Sequence, residues 1–198
     1  MASENLAPQV ISRLMSEIRD LIRNPPEGIE YIENEENSVS EIYAMVSGPE
    51  ETPFFGGRFR MKLVISEEYP NVPPKGYFLT KIFHPNVATN GDICVNTLKR
   101  DWNPQVTLKH ILQVIRCLLI IPFPESSLND EAGKLFMESY EEYAARARIM
   151  TEVHALSADS KIGKAGDVEG TLKGGDVPEE VAQKKKEKEV KKKNLKRL

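Results

Sequence analysis

Between residues 8 and 23 the apolar side chains fall at Val10, Ile11, Leu14, Ile18, Leu21 and Ile22. Steps of three and four make one face of a helix, and Pro8 suits its first turn. Asn24-Pro25-Pro26 then stops it, because proline has no amide hydrogen to continue the ladder. Short apolar runs follow at 29–32, 42–47, 58–65 and 76–79, punctuated by Gly48-Pro49, Gly56-Gly57 and Pro73-Pro74. That spacing predicts an antiparallel meander joined by short loops. From 81 to 103 periodic apolar positions are few and turn formers many, so a long irregular segment is expected; such a loop inside a compact domain is either functional or evidence against that assignment. A buried helix is predicted over 107–120, with Leu108, Ile111, Leu112, Ile115, Leu118 and Leu119 apolar, Thr107 as its cap, and Pro122 and Pro124 beyond its end. Two further helices are expected over 130–140 and 141–154, with Asn129 or Asp130 capping the first.

From about residue 155 the character changes. Residues 157–178 hold five glycines and few large apolar side chains, so no packed core is expected there. Residues 183–197 are lysine-rich, with Glu187 and Glu189 interleaved, and no internal repeat is seen. The expected organisation is a folded region over 8–154 and a flexible glycine-rich linker with a lysine-rich tail over 155–198.

Charge sharpens that division. The 198 residues carry a formal net charge of -3, but residues 157–198 hold 12 Lys and Arg against 8 Asp and Glu. The remainder is therefore acidic, at net -7. The two cysteines, Cys94 and Cys117, are too few for a disulfide scaffold, and nothing at the N-terminus reads as a signal peptide. No apolar run approaches the ~20 residues of a membrane span. These features predict a reduced chain, without a membrane, in cytoplasm and nucleus. Two cysteines and three histidines show no ligand spacing, so no metal site is expected.

The two thiols differ in setting. Cys117 lies in "IRCLLI" and reads as a small buried hydrophobe. Cys94 follows the Asn90-Gly91 turn inside the irregular segment, where reactive side chains concentrate. A cysteine protease would need a histidine base and an orienting third group. His84 stands between Phe83 and Pro85 and His110 falls in a predicted helix, so neither is well placed for that work.

"YPNVPPKGYFLTKIFHPNVATNGDICVNTLKRDWNP" resembles the core of the ubiquitin-conjugating enzymes. Tyr69-Pro70, Pro73-Pro74, His84-Pro85-Asn86, Gly91-x-Ile93-Cys94 and Trp102-x-Pro104 stand in that family's order, and the resemblance spans about residues 8–154. Asn129 to Gly133, "YEEYAARAR" and the basic tail resemble more narrowly the family's S-type branch, which elongates ubiquitin chains with the anaphase-promoting complex. The resemblance implies an α+β fold: an N-terminal helix, a four-stranded antiparallel meander and C-terminal helices. It implies that Cys94 accepts ubiquitin as a thioester from the activating enzyme and passes it to a lysine. No cofactor is bound directly; ATP is used upstream by the activating enzyme. That chemistry requires the Cys94 sulfur to be accessible at the protein surface.

Further roles follow from the same resemblance. Asn86 is assigned to the tetrahedral oxyanion, directly or by fixing the loop that stabilises it; the alternative is that it only satisfies backbone groups in its turn. Glu125, Ser126, Asp130 and Glu131 border the cysteine. Many members carry aspartate where Ser126 stands, and S-type enzymes carry glutamate where Asp130 stands. Asp130 is the candidate carboxylate beside the incoming lysine, and also a sensible helix cap. Arg100 and Asp101 are candidate contacts to acceptor ubiquitin. Donor ubiquitin would fold over Cys117, Glu125 and Ser126, which conflicts with a buried Cys117. Asn71 and Gln105 replace apolar anchors of the usual ligase surface, and Leu195, Lys196, Arg197 and Leu198 offer a docking tail in their place. The expected partners are ubiquitin, its activating enzyme and a multi-subunit ligase.

Three alternatives compete. A non-catalytic ubiquitin-binding variant is disfavoured by the presence of both Cys94 and Asn86. A nucleic-acid-binding protein is disfavoured by an acidic body and a basic run without aromatic residues. An enzyme for another ubiquitin-like modifier stays open.

Overall fold

The computed structural model describes residues 6–34, 38–94, 98–99 and 102–157. Helix α1 (Pro8–Arg23) starts with a proline in its first turn, buries Leu14 and Leu21, and ends at Asn24. Four strands follow in sequence: β1 (Ile29–Ile32), β2 (Glu41–Ser47), β3 (Gly57–Val64) and β4 (Lys75–Phe78). They pair as neighbours in the order β1-β2-β3-β4, all antiparallel. Along β3 every second residue is buried, the period of two that puts Phe59, Met61 and Leu63 on one face.

Helix α2 (Leu108–Leu118) lays Leu108, Ile111, Leu112, Ile115 and Leu118 into the same core as that face. A one-turn 3-10 helix (Pro124–Ser126) precedes α3 (Asp130–Glu138) and α4 (Tyr140–His154). Thr107 caps α2 by accepting from the His110 amide at 3.3 Å, as its position before the apolar stripe predicts. Of the two residues expected to cap α3, Asn129 does so, accepting from Ala132 at 3.1 Å, while Asp130 is the first helical residue.

The folded region runs past its expected boundary. Leu156–Ser157 form a short strand, β5, pairing Ser157 with Gly57 and Leu156 with Arg58. β4 pairs with residues 61–64 of β3 only, which leaves this edge of β3 open to another strand. The four-stranded meander therefore carries a two-residue fifth strand, in residues expected to belong to the linker. Among the described residues no helix is long and apolar enough to cross a membrane.

Candidate active site

Cys94 closes a small hydrogen-bonded frame. Its backbone N–H donates to the Asn86 carbonyl at 3.0 Å, and Ile93 donates to Gly76 at 3.0 Å. Isolated bridges pair Val87 with Ile93 and Tyr77 with Asp92. Gly91, at φ +96°, turns the chain between the Asn90 turn and the thiol, and its carbonyl accepts from Phe78. A side chain there would run into the Phe78 carbonyl, so this turn requires glycine.

His84-Pro85-Asn86 supports the frame from beneath. His84 is fully buried and uses both ring nitrogens: Nε2–H donates to the Leu118 carbonyl at 2.9 Å, and Nδ1 accepts from the Asn86 N–H at 3.0 Å. Burial pushes its pKa down to about 4 against the pull of the Leu118 carbonyl, so the ring is neutral at physiological pH. With both nitrogens committed, His84 cannot serve Cys94 as a base. His110 lies exposed on α2.

Asn86 is fully buried too. Its Nδ2 donates to the carbonyls of Phe123 at 2.6 Å and Ser126 at 3.1 Å, and its Oδ1 accepts from the Phe123 N–H at 2.8 Å. Both amide hydrogens are thus spent on backbone carbonyls, leaving none aimed at an oxyanion. Asn86 thereby ties the thiol's frame to the segment before α3. Pro85 adds to this by accepting from Leu128 at 2.8 Å and Asn129 at 3.1 Å.

Two expectations about the cysteines are corrected. The Cys94 residue is only 4% exposed, not the surface sulfur that the chemistry requires. It follows Ile93, which packs into the core, and its amide is drawn in toward Asn86. Cys117 is exposed, not buried. The core stripe of α2 falls at 108, 111, 112, 115 and 118, and position 117 lies off it. The run "IRCLLI" hid that periodicity because its apolar residues are contiguous.

The remaining candidates separate. Ser126 lies in the 3-10 helix, where its carbonyl receives Asn86, and Glu125 is exposed beside it. Asp130 is exposed at the start of α3, on the segment that Pro85 anchors. Glu131 pairs with Arg146, whose guanidinium lies 4.6 Å from the Phe83 ring centroid. Arg100, Asp101, Leu195, Lys196, Arg197 and Leu198 lie outside the described residues. Asn71 and Gln105 are exposed. A cleft of about 490 Å³ runs past Phe83, Asn90, Asn129 and Arg146 and does not include Cys94. Among the described residues no group of three or more His, Cys, Asp or Glu could hold a metal.

Two residues bearing on this site escaped the sequence reading. Arg13 and Glu17 of α1 reach the loop before α2: Arg13 donates to the Pro104 and Val106 carbonyls, and Glu17 accepts the Leu108 N–H at 2.7 Å. Their i, i+4 spacing on a charged helix face was the available signal.

The Cys94 backbone is tied to the Asn86 brace beside the meander sheet, and both ring nitrogens of His84 are committed elsewhere. The chain belongs to the ubiquitin-conjugating enzyme family: the sequence profile described as "Ubiquitin-conjugating enzyme" matches residues 13–151. It is 52% identical over 201 residues to "Ubiquitin-conjugating enzyme E2 S" of Drosophila grimshawi, covering 98% of this chain and 96% of the relative. It is 50% identical over 202 residues to the protein of that name from Drosophila melanogaster, with the same coverage. The chain is thus a ubiquitin-conjugating enzyme, a cysteine thioester transferase that works with ubiquitin, an activating enzyme and ligases.

Proposed function

We propose that Cys94 is the thiol that carries ubiquitin and that this enzyme lengthens ubiquitin chains. The Cys94 thiolate attacks the carbonyl carbon of the ubiquitin thioester on the activating enzyme, and that enzyme's thiolate leaves. A lysine amine then attacks the new thioester; the C–N bond forms, the C–S bond breaks, and the amine's proton passes to solvent. Free cysteine sits near pKa ~8.5, so the first step needs no dedicated base. The observation that carries the assignment is the Cys94–Asn86 backbone bond, which builds the thiol into the His84-Pro85-Asn86 frame.

The resemblance to the S-type branch supports the finer reading. The accepting lysine belongs to ubiquitin itself, and the ligase is the anaphase-promoting complex, which places the enzyme in cell-cycle control. Residues 195–198 dock the ligase, Arg100 and Asp101 contact acceptor ubiquitin, and exposed Cys117 lies under donor ubiquitin with Glu125 and Ser126. Asp130, left solvent-facing because Asn129 takes the cap, orients the incoming amine. ATP is consumed by the activating enzyme alone, and no cofactor binds here. The work is done in cytoplasm and nucleus, where thiols stay reduced.

A charging assay tests this reading. Activating enzyme, ATP and ubiquitin are mixed with the protein and run on a non-reducing gel. A reducible adduct should form, vanish in Cys94→Ala and persist in Cys117→Ala. An adduct that survives Cys94→Ala overturns the assignment. Deleting residues 195–198 should leave charging intact and slow chain growth with the ligase complex; unchanged ligase-dependent growth removes the docking tail.

A further inference from the structure

α1 holds the start of α2 through two charged side chains. Glu17 Oε2 accepts the Leu108 N–H at 2.7 Å, one of the amides at a helix start that has no partner within the helix. Its other oxygen takes Arg13 Nε at 2.7 Å. The two terminal nitrogens of Arg13 then donate to the Pro104 and Val106 carbonyls in the loop that follows Trp102. Arg13 also lies 5.6 Å from the centroid of the Tyr69 ring, which packs on Trp102, and Trp102 donates to the Pro70 carbonyl at 3.1 Å. Lys109 pairs with Asp20 one turn further along α1. Glu17 keeps only 13% of its side chain exposed, so its hydrogen bonds are partly shielded from water.

The opposite end of α2 reaches the thiol. The Leu118 carbonyl accepts from His84, His84 accepts from the Asn86 N–H, and the Asn86 carbonyl accepts from the Cys94 N–H. A helix of 11 residues spans about 16 Å, linked along its length by backbone hydrogen bonds. Its N-terminus is therefore seated by Arg13 and Glu17, and its C-terminus seats the frame of Cys94.

We propose that Arg13 and Glu17 are a positioning pair for ubiquitin transfer, setting the placement of α2 and through it the frame around Cys94. The inference rests on Cys94 being the carrier thiol. The pair touches no reacting atom; it acts on the rate at which the loaded thioester is discharged. A misplacement near 1 Å, even from a distant change, can cost up to about a hundredfold in rate.

The test separates this role from a plain i, i+4 ion pair. Wild type, Arg13→Ala, Glu17→Ala, Glu17→Gln and the exchange variant Arg13→Glu with Glu17→Arg are charged with ubiquitin and chased with free lysine over a range of concentrations. Thermal midpoints are measured alongside. The exchange variant restores a helix ion pair, but a carboxylate at position 13 cannot donate to the loop carbonyls and a guanidinium at position 17 cannot accept from Leu108. We expect discharge about tenfold or more below wild type in both alanine variants and in the exchange variant, whose midpoint returns toward wild type. Glu17→Gln, whose amide oxygen can still accept from Leu108, should recover part of the rate. The loss should fall on the maximal rate and not on the lysine concentration giving half of it. Wild-type discharge in the exchange variant, or in both alanine variants, overturns the proposal, as does a loss confined to half-saturation. If the exchange variant fails to fold, the contrast between Glu17→Gln and Glu17→Ala decides, and equal rates in those two overturn it. Failure of wild type itself to charge at Cys94 would instead remove the underlying reading.

Discussion

Asn86 clasps the backbone of Phe123 from both sides, donating to its carbonyl at 2.6 Å and accepting from its amide at 2.8 Å. The contact spans 37 residues and joins the loop before the thiol to the segment before α3. Replacing Asn86 with alanine strips three side-chain hydrogen bonds to part-buried backbone groups of Phe123 and Ser126. Such losses total about 3 kcal/mol. Thermal or urea unfolding of Asn86→Ala should show a drop of that size together with slower ubiquitin discharge. A full-stability variant that fails only in discharge would return Asn86 to direct contact with the oxyanion.

The thiols should react in the reverse of the order that their settings in the sequence suggest. Cys117 is exposed and Cys94 is 4% exposed. A maleimide needs an accessible thiolate, so the native uncharged protein should take one label quickly at Cys117 and a second slowly at Cys94. Cys117→Ala should leave only the slow event, and denaturant should make the two alike. Mass spectrometry of the labelled peptides checks this; fast labelling of Cys94 in the native state would show that its sulfur is open.

The elements came readily from the sequence because their periods are clean. The run at 58–65 falls on β3, and the α1 and α2 stripes match the observed burial except at Ile22, which is exposed. What stayed hidden depends on distance along the chain. Asn86 meets Phe123, and Glu17 meets Leu108, across 37 and 91 residues, and no local pattern announces either partner. β5 is two residues long, too short for any alternation, and forms because an edge of β3 is left open. The motif around His84 and Asn86 was legible as a unit, and satisfying backbone groups was one of the roles expected of Asn86; that those groups would lie on Phe123 and Ser126, 37 and 40 residues away, was not.

Stability should fall with pH as His84 is forced to charge. Its folded pKa is depressed to about 4, below the ordinary histidine value of 6.5. The unfolded chain therefore binds the proton first as pH drops. The contribution is complete above about pH 6.5 and is lost progressively toward pH 4, amounting to ~3 kcal/mol. His84→Gln can still bond but cannot titrate, so it should flatten the part of the stability–pH curve between those limits. Denaturant unfolding at several pH values measures the difference; parallel curves for the two proteins would assign the slope to other groups.

Gly91 offers the sharpest test of how the thiol is carried. It sits at φ +96°, and a Cβ there would lie 2.1 Å from the Phe78 carbonyl oxygen. That oxygen belongs to the backbone at the end of β4, so no side-chain rotation relieves the contact. Gly91→Ala must therefore open the turn, breaking the Phe78 N–H to Gly91 carbonyl bond of 2.8 Å and loosening the bridge between Tyr77 and Asp92. Backbone strain of this kind costs on the order of 1–3 kcal/mol before any lost hydrogen bond is counted. The released turn lies three residues before Cys94, so the thiol should lose its fixed place as stability drops. Gly91→Ala should label faster with maleimide at Cys94 than wild type and discharge ubiquitin more slowly. Wild-type stability together with a wild-type labelling rate would show that the turn accommodates a side chain and that the frame around Cys94 is held by other contacts.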